Sequence, residues 1–157
     1  MQEDNTDPVI AEIYDRRIYL IRPPLANLDG IVFVNSCIEP LPNRYVLDKL
    51  VAIADSKGIE PFIVFTKIDL KDADELIEVY RSIGIEVCCV NNVTGEGAER
   101  VLEFVSGKTT AFVGNSGVGK SSLLNVLFPE LELETAHISK KLGRGRHTTR
   151  QVEMYKL

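Results

Sequence analysis

Tryptophan is absent from the 157 residues, histidine occurs twice and cysteine three times. The two histidines, His137 and His147, speak against a zinc site within the chain, because tetrahedral zinc takes four ligands. The cysteines, Cys37, Cys88 and Cys89, are odd in number and form no CxxC pair, and adjacent cysteines do not easily bridge each other. All three sit in or beside apolar runs, which reads as small core residues in a reducing, cytoplasmic compartment. No apolar stretch approaches the roughly 18 residues that would span a bilayer, and no signal peptide opens the chain. Expected partners therefore do not include a membrane. A general excess of positive charge is also missing: 18 bases against 23 acids leave a net charge of −5, which disfavours a nucleic-acid coat.

What is present is an ordinary globular composition, 45% apolar and 26% charged, so disorder and collagen-like sequence are excluded. A chain this long can bury roughly 70% of its unfolded surface and needs no disulfide staple. Ile10 to Ile21 alternates apolar and polar residues, as a strand or an inward-leading linker would, until Arg22-Pro23-Pro24 interrupts it. Strand and helix signals then alternate. Gly30–Cys37 and Pro61–Thr66 are β-branched, apolar runs of the kind buried on both faces. Between them Asn43 caps a helix with apolar positions Val46, Leu47, Leu50, Val51 and Ala54, ending near Gly58. A second helix over 72–82 begins with the capping pair Asp72 and Glu75. Strand Ile85–Val90, polar loop 91–97, helix Ala98–Val105, strand Thr109–Val113 and helix Lys120–Phe128 follow. This alternation predicts an α/β fold with a mostly parallel sheet and helices on both faces. Glu130–Arg150 reads as a long mobile segment, and 151–157 as a weak final strand.

Gly114, Asn115, Ser116, Gly117, Val118, Gly119, Lys120 and Ser121 match GxxxxGK[ST] in full, between a buried strand and a helix. Glycines let consecutive N–H groups turn inward around a phosphate, and the helix N-terminus adds partial positive charge. Lys120 reaches the β- and γ-phosphates, Ser122 continues the phosphate-binding turn, and the Ser121 hydroxyl is placed to hold Mg2+. A P-loop NTPase fold follows. Yet most strands precede the motif, whereas such domains usually open with it.

Upstream, Thr66-Lys67-Ile68-Asp69 ends a buried strand, where open α/β sheets place ligand contacts. It resembles the [NT]KxD signature of GTPases. The Asp69 carboxylate would accept guanine N1–H and the exocyclic amine, and an adenine would leave it buried and unpaired. The Lys67 stem would lie along the base while its ammonium supports the phosphate loop. One strand later, Asn91-Asn92-Val93 stand where GTPases contact guanine O6 through a backbone N–H. Ser or Ala is usual there, a departure that a backbone contact tolerates.

Base motif first and phosphate loop second is a circularly permuted GTPase order. With PPLANLD at 23–29, GNSGVGKSSLLN at 114–125 and LGRGRHTTR at 142–150, the chain resembles the small-ribosomal-subunit-dependent GTPase family, RsgA/YjeQ. That resemblance implies GTP hydrolysis to GDP during late maturation of the small ribosomal subunit, with the subunit and its rRNA as partners and the protein a monomer. It implies that residues 1–23 are the tail of a preceding OB-fold domain and 24–157 the GTPase domain. Zinc is expected only in a C-terminal domain not present here. A DxPG motif is expected after 151–157, so the chain reads as a fragment with impaired nucleotide binding and weak hydrolysis. Lys140, Lys141, Arg144, Arg146 and Arg150 are uninterrupted by any acid and are candidates for rRNA or phosphate contact. Within them Thr149, or else Thr148, is the expected switch threonine on magnesium. His147 matches by position a histidine suggested as the family's catalytic group, or else is an exposed loop residue. Competing classes are a P-loop ATPase or kinase-like protein, and an RNA-binding module without turnover.

Overall fold

The computed structural model describes residues 10, 12–21, 23–70, 74–133 and 154–155. A two-residue strand β1 (Tyr19–Leu20) pairs antiparallel with β2 (Leu25–Ala26), so the alternating Ile10–Ile21 stretch contributes only its end to a strand. Asn27 closes this hairpin. Its backbone lies at φ 55°, its Oδ1 accepts from Arg17 N at 2.8 Å, and its own N–H donates to Ile18 O at 2.9 Å. Asparagine tolerates the left-handed region because its short amide can bond locally.

The hairpin leads into β3 (Gly30–Ser36), followed by α1 (Arg44–Ser56), β4 (Glu60–Thr66), α2 (Asp74–Ser82), β5 (Glu86–Val90), α3 (Ala98–Val105), β6 (Thr110–Val113) and α4 (Lys120–Leu127). The four longer strands form one parallel sheet in the order β5-β4-β3-β6. Alternation along each strand divides the core in two. Ile31, Phe33, Ile63, Phe65 and Val87 face α1 and α2, while Val32, Val34, Phe62, Val64, Cys88 and Val90 face α3 and α4. A period-2 strand covered on both faces must be apolar at every position, which is why these segments read as continuous hydrophobic runs.

Asn43 caps α1 as expected, its side chain accepting from Val46 N at 3.2 Å. Leu47, Val51 and Ala54 are buried, but Val46 points outward, one of the helix's apolar positions left half-exposed. Residue 72 lies outside the described residues, and α2 begins at Asp74. Cys37 and Cys88 are core residues, with the Cys88 thiol pushed up to about 12 by burial, whereas Cys89 is only half-buried. Glu130–Leu133, expected to open a mobile segment, are instead ordered: Pro129–Leu131 form a 3-10 turn, and both atoms of the Asn125 amide bond the Leu133 backbone at 2.8 Å; residues 134–150 lie outside the described residues. Residues 151–153 and 156–157 of the expected last strand lie outside the described residues.

Phe62 is fully buried at the centre, its ring centroid 4.5 Å from that of Phe104 on α3. Truncating it empties the sheet–helix interface. Phe62→Ala should cost about 3–5 kcal/mol, read as a lower urea midpoint with unchanged slope.

Candidate functional site

In a parallel sheet all strands end on the same side, so the loops at 37–43, 67–70, 91–97 and 114–119 converge at one edge. From β3 the chain steps outward through β4 to β5, with α1 and α2 on one face. It then returns past both to β6, with α3 on the other face. The connections therefore diverge between β3 and β6, the switch point where open sheets hold ligands.

The phosphate loop leaves β6 at that crevice. Gly114 is packed so closely on the Val34 carbonyl of β3 that a Cβ would collide with it. Gly119 lies at φ 90°, a conformation L side chains rarely adopt, and caps α4. Val118 is buried in the core facing α3 and α4 and anchors the loop's floor. From Asn115 to Ser122 no backbone N–H donates to an acceptor among the described residues. Asn115 and Ser116 are exposed, and Gly117, Ser121 and Ser122 half-buried. Lys120 folds back over the loop, its Nζ donating to Gly114 O at 3.1 Å. Burial holds its pKa below the ordinary lysine value. The arrangement is a run of unpaired donors beside a partly desolvated cation, which is chemistry suited to a polyphosphate.

Thr66, at the end of β4, is fully buried. Its Oγ1 lies 2.5 Å from Val118 O and 3.0 Å from Asn35 O, and with one proton it donates to one of these at a time. The Thr66 hydroxyl thus ties the base-motif strand end to the phosphate loop. Lys67 sits at φ 59°, and its Nζ donates to Glu39 O at 2.8 Å instead of supporting the phosphate loop. Asp69 is exposed, with no hydrogen bond or ion pair to a described residue. Its carboxylate is accessible to a ligand. Water can solvate it when unpaired.

In the third segment, Asn91 Oδ1 accepts from Val93 N at 2.9 Å and Thr94 N at 3.2 Å, and Asn91 N donates to Glu96 O at 3.0 Å. Of the three backbone donors only that of Asn92 has no acceptor among the described residues. The Asn92 side chain is tied down: its Nδ2 donates to Gly119 O at 3.0 Å. Sequence reasoning missed this contact, and also the Glu39 carbonyl that receives Lys67. Main-chain acceptors leave no mark in a sequence. Lys140, Lys141, Arg144, Arg146, His147, Thr148, Thr149 and Arg150 lie outside the described residues.

A phosphate loop at the switch point of a parallel sheet, preceded in the chain by a Thr-Lys-Ile-Asp strand end, defines a P-loop domain with circularly permuted GTPase order. The family model for the RsgA GTPase matches residues 13–157, and the chain belongs to that family. It is 44% identical over 151 residues to the small ribosomal subunit biogenesis GTPase RsgA of Caldanaerobacter subterraneus, covering 94% of this chain and 51% of that one. It is 43% identical over 161 residues to the RsgA of Bacillus pumilus, covering 98% and 54%. Among solved structures it resembles YjeQ from Thermotoga maritima, with TM-score 0.66 and 34% identity over 80% of this chain and 47% of that one. YloQ, a circularly permuted GTPase, gives TM-score 0.63 at 34% identity, covering 82% and 47%. The chain spans about half the length of the curated relatives it matches.

Proposed function

We propose that this chain binds GTP and GDP, hydrolyses GTP, and serves in late maturation of the small ribosomal subunit. The observation that carries the reading is the joining of two motifs 52 residues apart: Thr66 of the base-reading strand end hydrogen-bonds Val118 within the phosphate loop. One ligand with a guanine at one end and a polyphosphate at the other fits both.

On this reading the N–H groups from Asn115 to Ser122 and the Lys120 ammonium hold the phosphates. Asp69 accepts the two guanine donors, and the Asn92 N–H donates to O6. Adenine presents an unprotonated N1 and no amine at C2, so it loses both bonds and faces the carboxylate with a lone pair. Ser121, whose hydroxyl has no partner among the described residues, fits a magnesium ligand, with Thr149 proposed as the second. When bound, the ion neutralises charge on the phosphates. His147 is the proposed group that orients the attacking water. Lys140, Lys141, Arg144, Arg146 and Arg150 are the proposed contacts to rRNA phosphates. The names of the relatives support the ribosomal role.

Displacement of labelled GDP tests the reading. GTP and GDP should compete and ATP should not, by about a hundredfold or more, as the loss of two charged hydrogen bonds requires. Equal displacement by ATP would favour the ATPase class. Ribosomal-subunit binding indifferent to nucleotide would favour an RNA-binding module.

A further inference from the structure

Asn92 carries a contact that recognition of the guanine does not use. Its Nδ2 donates to Gly119 O at 3.0 Å, and its Oδ1 is buried without a hydrogen-bond partner among the described residues. Exchanging the two amide atoms only worsens this, since oxygen would then face the Gly119 carbonyl oxygen. A side chain that gains one bond and buries one unpaired acceptor adds little net stability. Its presence therefore calls for a role other than holding the fold.

The peptide geometry supplies one. In a trans peptide the carbonyl of one residue and the N–H of the next point in opposite directions. Thr66 holds the Val118 carbonyl, and Asn92, together with the Leu123 N–H of α4 at 2.9 Å, holds the Gly119 carbonyl. These bonds turn the N–H groups of Gly119 and Lys120 away from the strand ends, to the side of the loop where their donors stay unpaired. Gly119 is what permits the approach, because a Cβ there would come within 2.9 Å of Asn92 Nδ2. The same residue thus offers its own N–H toward a base and aims a phosphate donor with its side chain.

We infer that Asn92 is a positioning residue that couples the guanine seat to the β-phosphate seat, so that a nucleoside diphosphate binds more tightly than its two halves predict. This inference rests on the guanine-nucleotide reading above.

The test uses the full chain with Asn92→Ala, which keeps the backbone N–H and removes the amide. Affinities for GDP and for guanosine are measured by calorimetry and ligand NMR, and thermal unfolding is followed without nucleotide. Expected are about a tenfold loss for GDP, the size of one hydrogen bond, unchanged guanosine binding, and an unchanged or higher Tm. Asn92→Asp, of similar volume, sets a carboxylate oxygen against the Gly119 carbonyl and should lose more GDP affinity than alanine does. Equal losses for GDP and guanosine would mean that Asn92 shapes only the base seat and would overturn the coupling. So would GDP affinity equal to wild type, or a Tm that falls in step with affinity. A wild-type chain that binds no GDP would sink the nucleotide reading itself, and with it this inference. A wild-type chain that binds GDP beside indifferent Asn92 variants sinks the inference alone.

Discussion

Lys120→Met should weaken GDP binding by about ten- to a hundredfold while leaving the nucleotide-free protein as stable as before, or more so. The first half follows from charge. A charge-assisted bond to phosphate is worth about 1.5–3 kcal/mol, more where water is partly excluded, and methionine supplies no donor. The second half follows from burial. Among the described residues the Lys120 ammonium makes one hydrogen bond, to Gly114 O, and burial disfavours its charged form. Methionine keeps the unbranched stem and removes the charge. The pH dependence has a definite sign. The folded protein holds the Lys120 proton less tightly than the unfolded chain does. Nucleotide-free stability should therefore rise as pH climbs from the lowered pKa toward the ordinary lysine value, and the variant should lack that rise. Bound phosphate should raise the Lys120 pKa again and flatten the slope. Titration with fluorescent GDP, together with unfolding midpoints measured across alkaline pH, checks both halves. A variant that unfolds readily without nucleotide would contradict the account of Lys120 as a cation held ready for phosphate.

Asp69→Asn should have a comparably large effect of a different kind: a change of base rather than a loss of binding. Asp69 is exposed and makes no hydrogen bond or ion pair with a described residue, so the substitution removes nothing from the fold. Two guanine donors meeting a carboxylate amount to about 3–6 kcal/mol together. An amide can accept from N1–H but sets its own NH2 against the guanine amine, so GDP should weaken by about a hundredfold or more. Xanthine carries a carbonyl where guanine carries the amine. The asparagine amide can accept from its N1–H and donate to that carbonyl, so xanthosine diphosphate should bind the variant better than GDP does. Competition between the two nucleotides measures the switch. Unaltered preference for guanine would remove Asp69 from the site.

Much of the architecture was legible from apolar runs and their punctuation. The strands ending at Ser36, Thr66, Val90 and Val113 were each placed within a residue or two, because strands covered on both faces must be continuously apolar. The Asn43 cap was legible because its bond to Val46 N is local. Helical spacing marks the apolar stripe of α1 without fixing its edge: Leu47, Val51 and Ala54 are buried, Leu50 packs partly buried against the same core, and Val46 stays exposed. Chemistry carried by residue type was equally legible: GNSGVGKS admits few uses other than phosphate binding, and Asp69 is an acceptor in any fold.

Partners were not legible. Thr66 reads as a base-motif residue, yet its hydroxyl bonds the phosphate loop. Lys67 reads as a support for that loop, yet its ammonium bonds Glu39 O. Asn92 reads as a replaceable carrier of a backbone N–H, yet its side chain holds Gly119 O. By itself the sequence determined the parallel α/β architecture, the rotated motif order and the phosphate-loop motif, because these depend on periodicity and functional groups within short segments. Only the tertiary structure decided which carbonyl each polar side chain holds. Those pairs are 28, 27 and 52 residues apart, and they meet only because parallel strands bring their ends to one edge of the sheet.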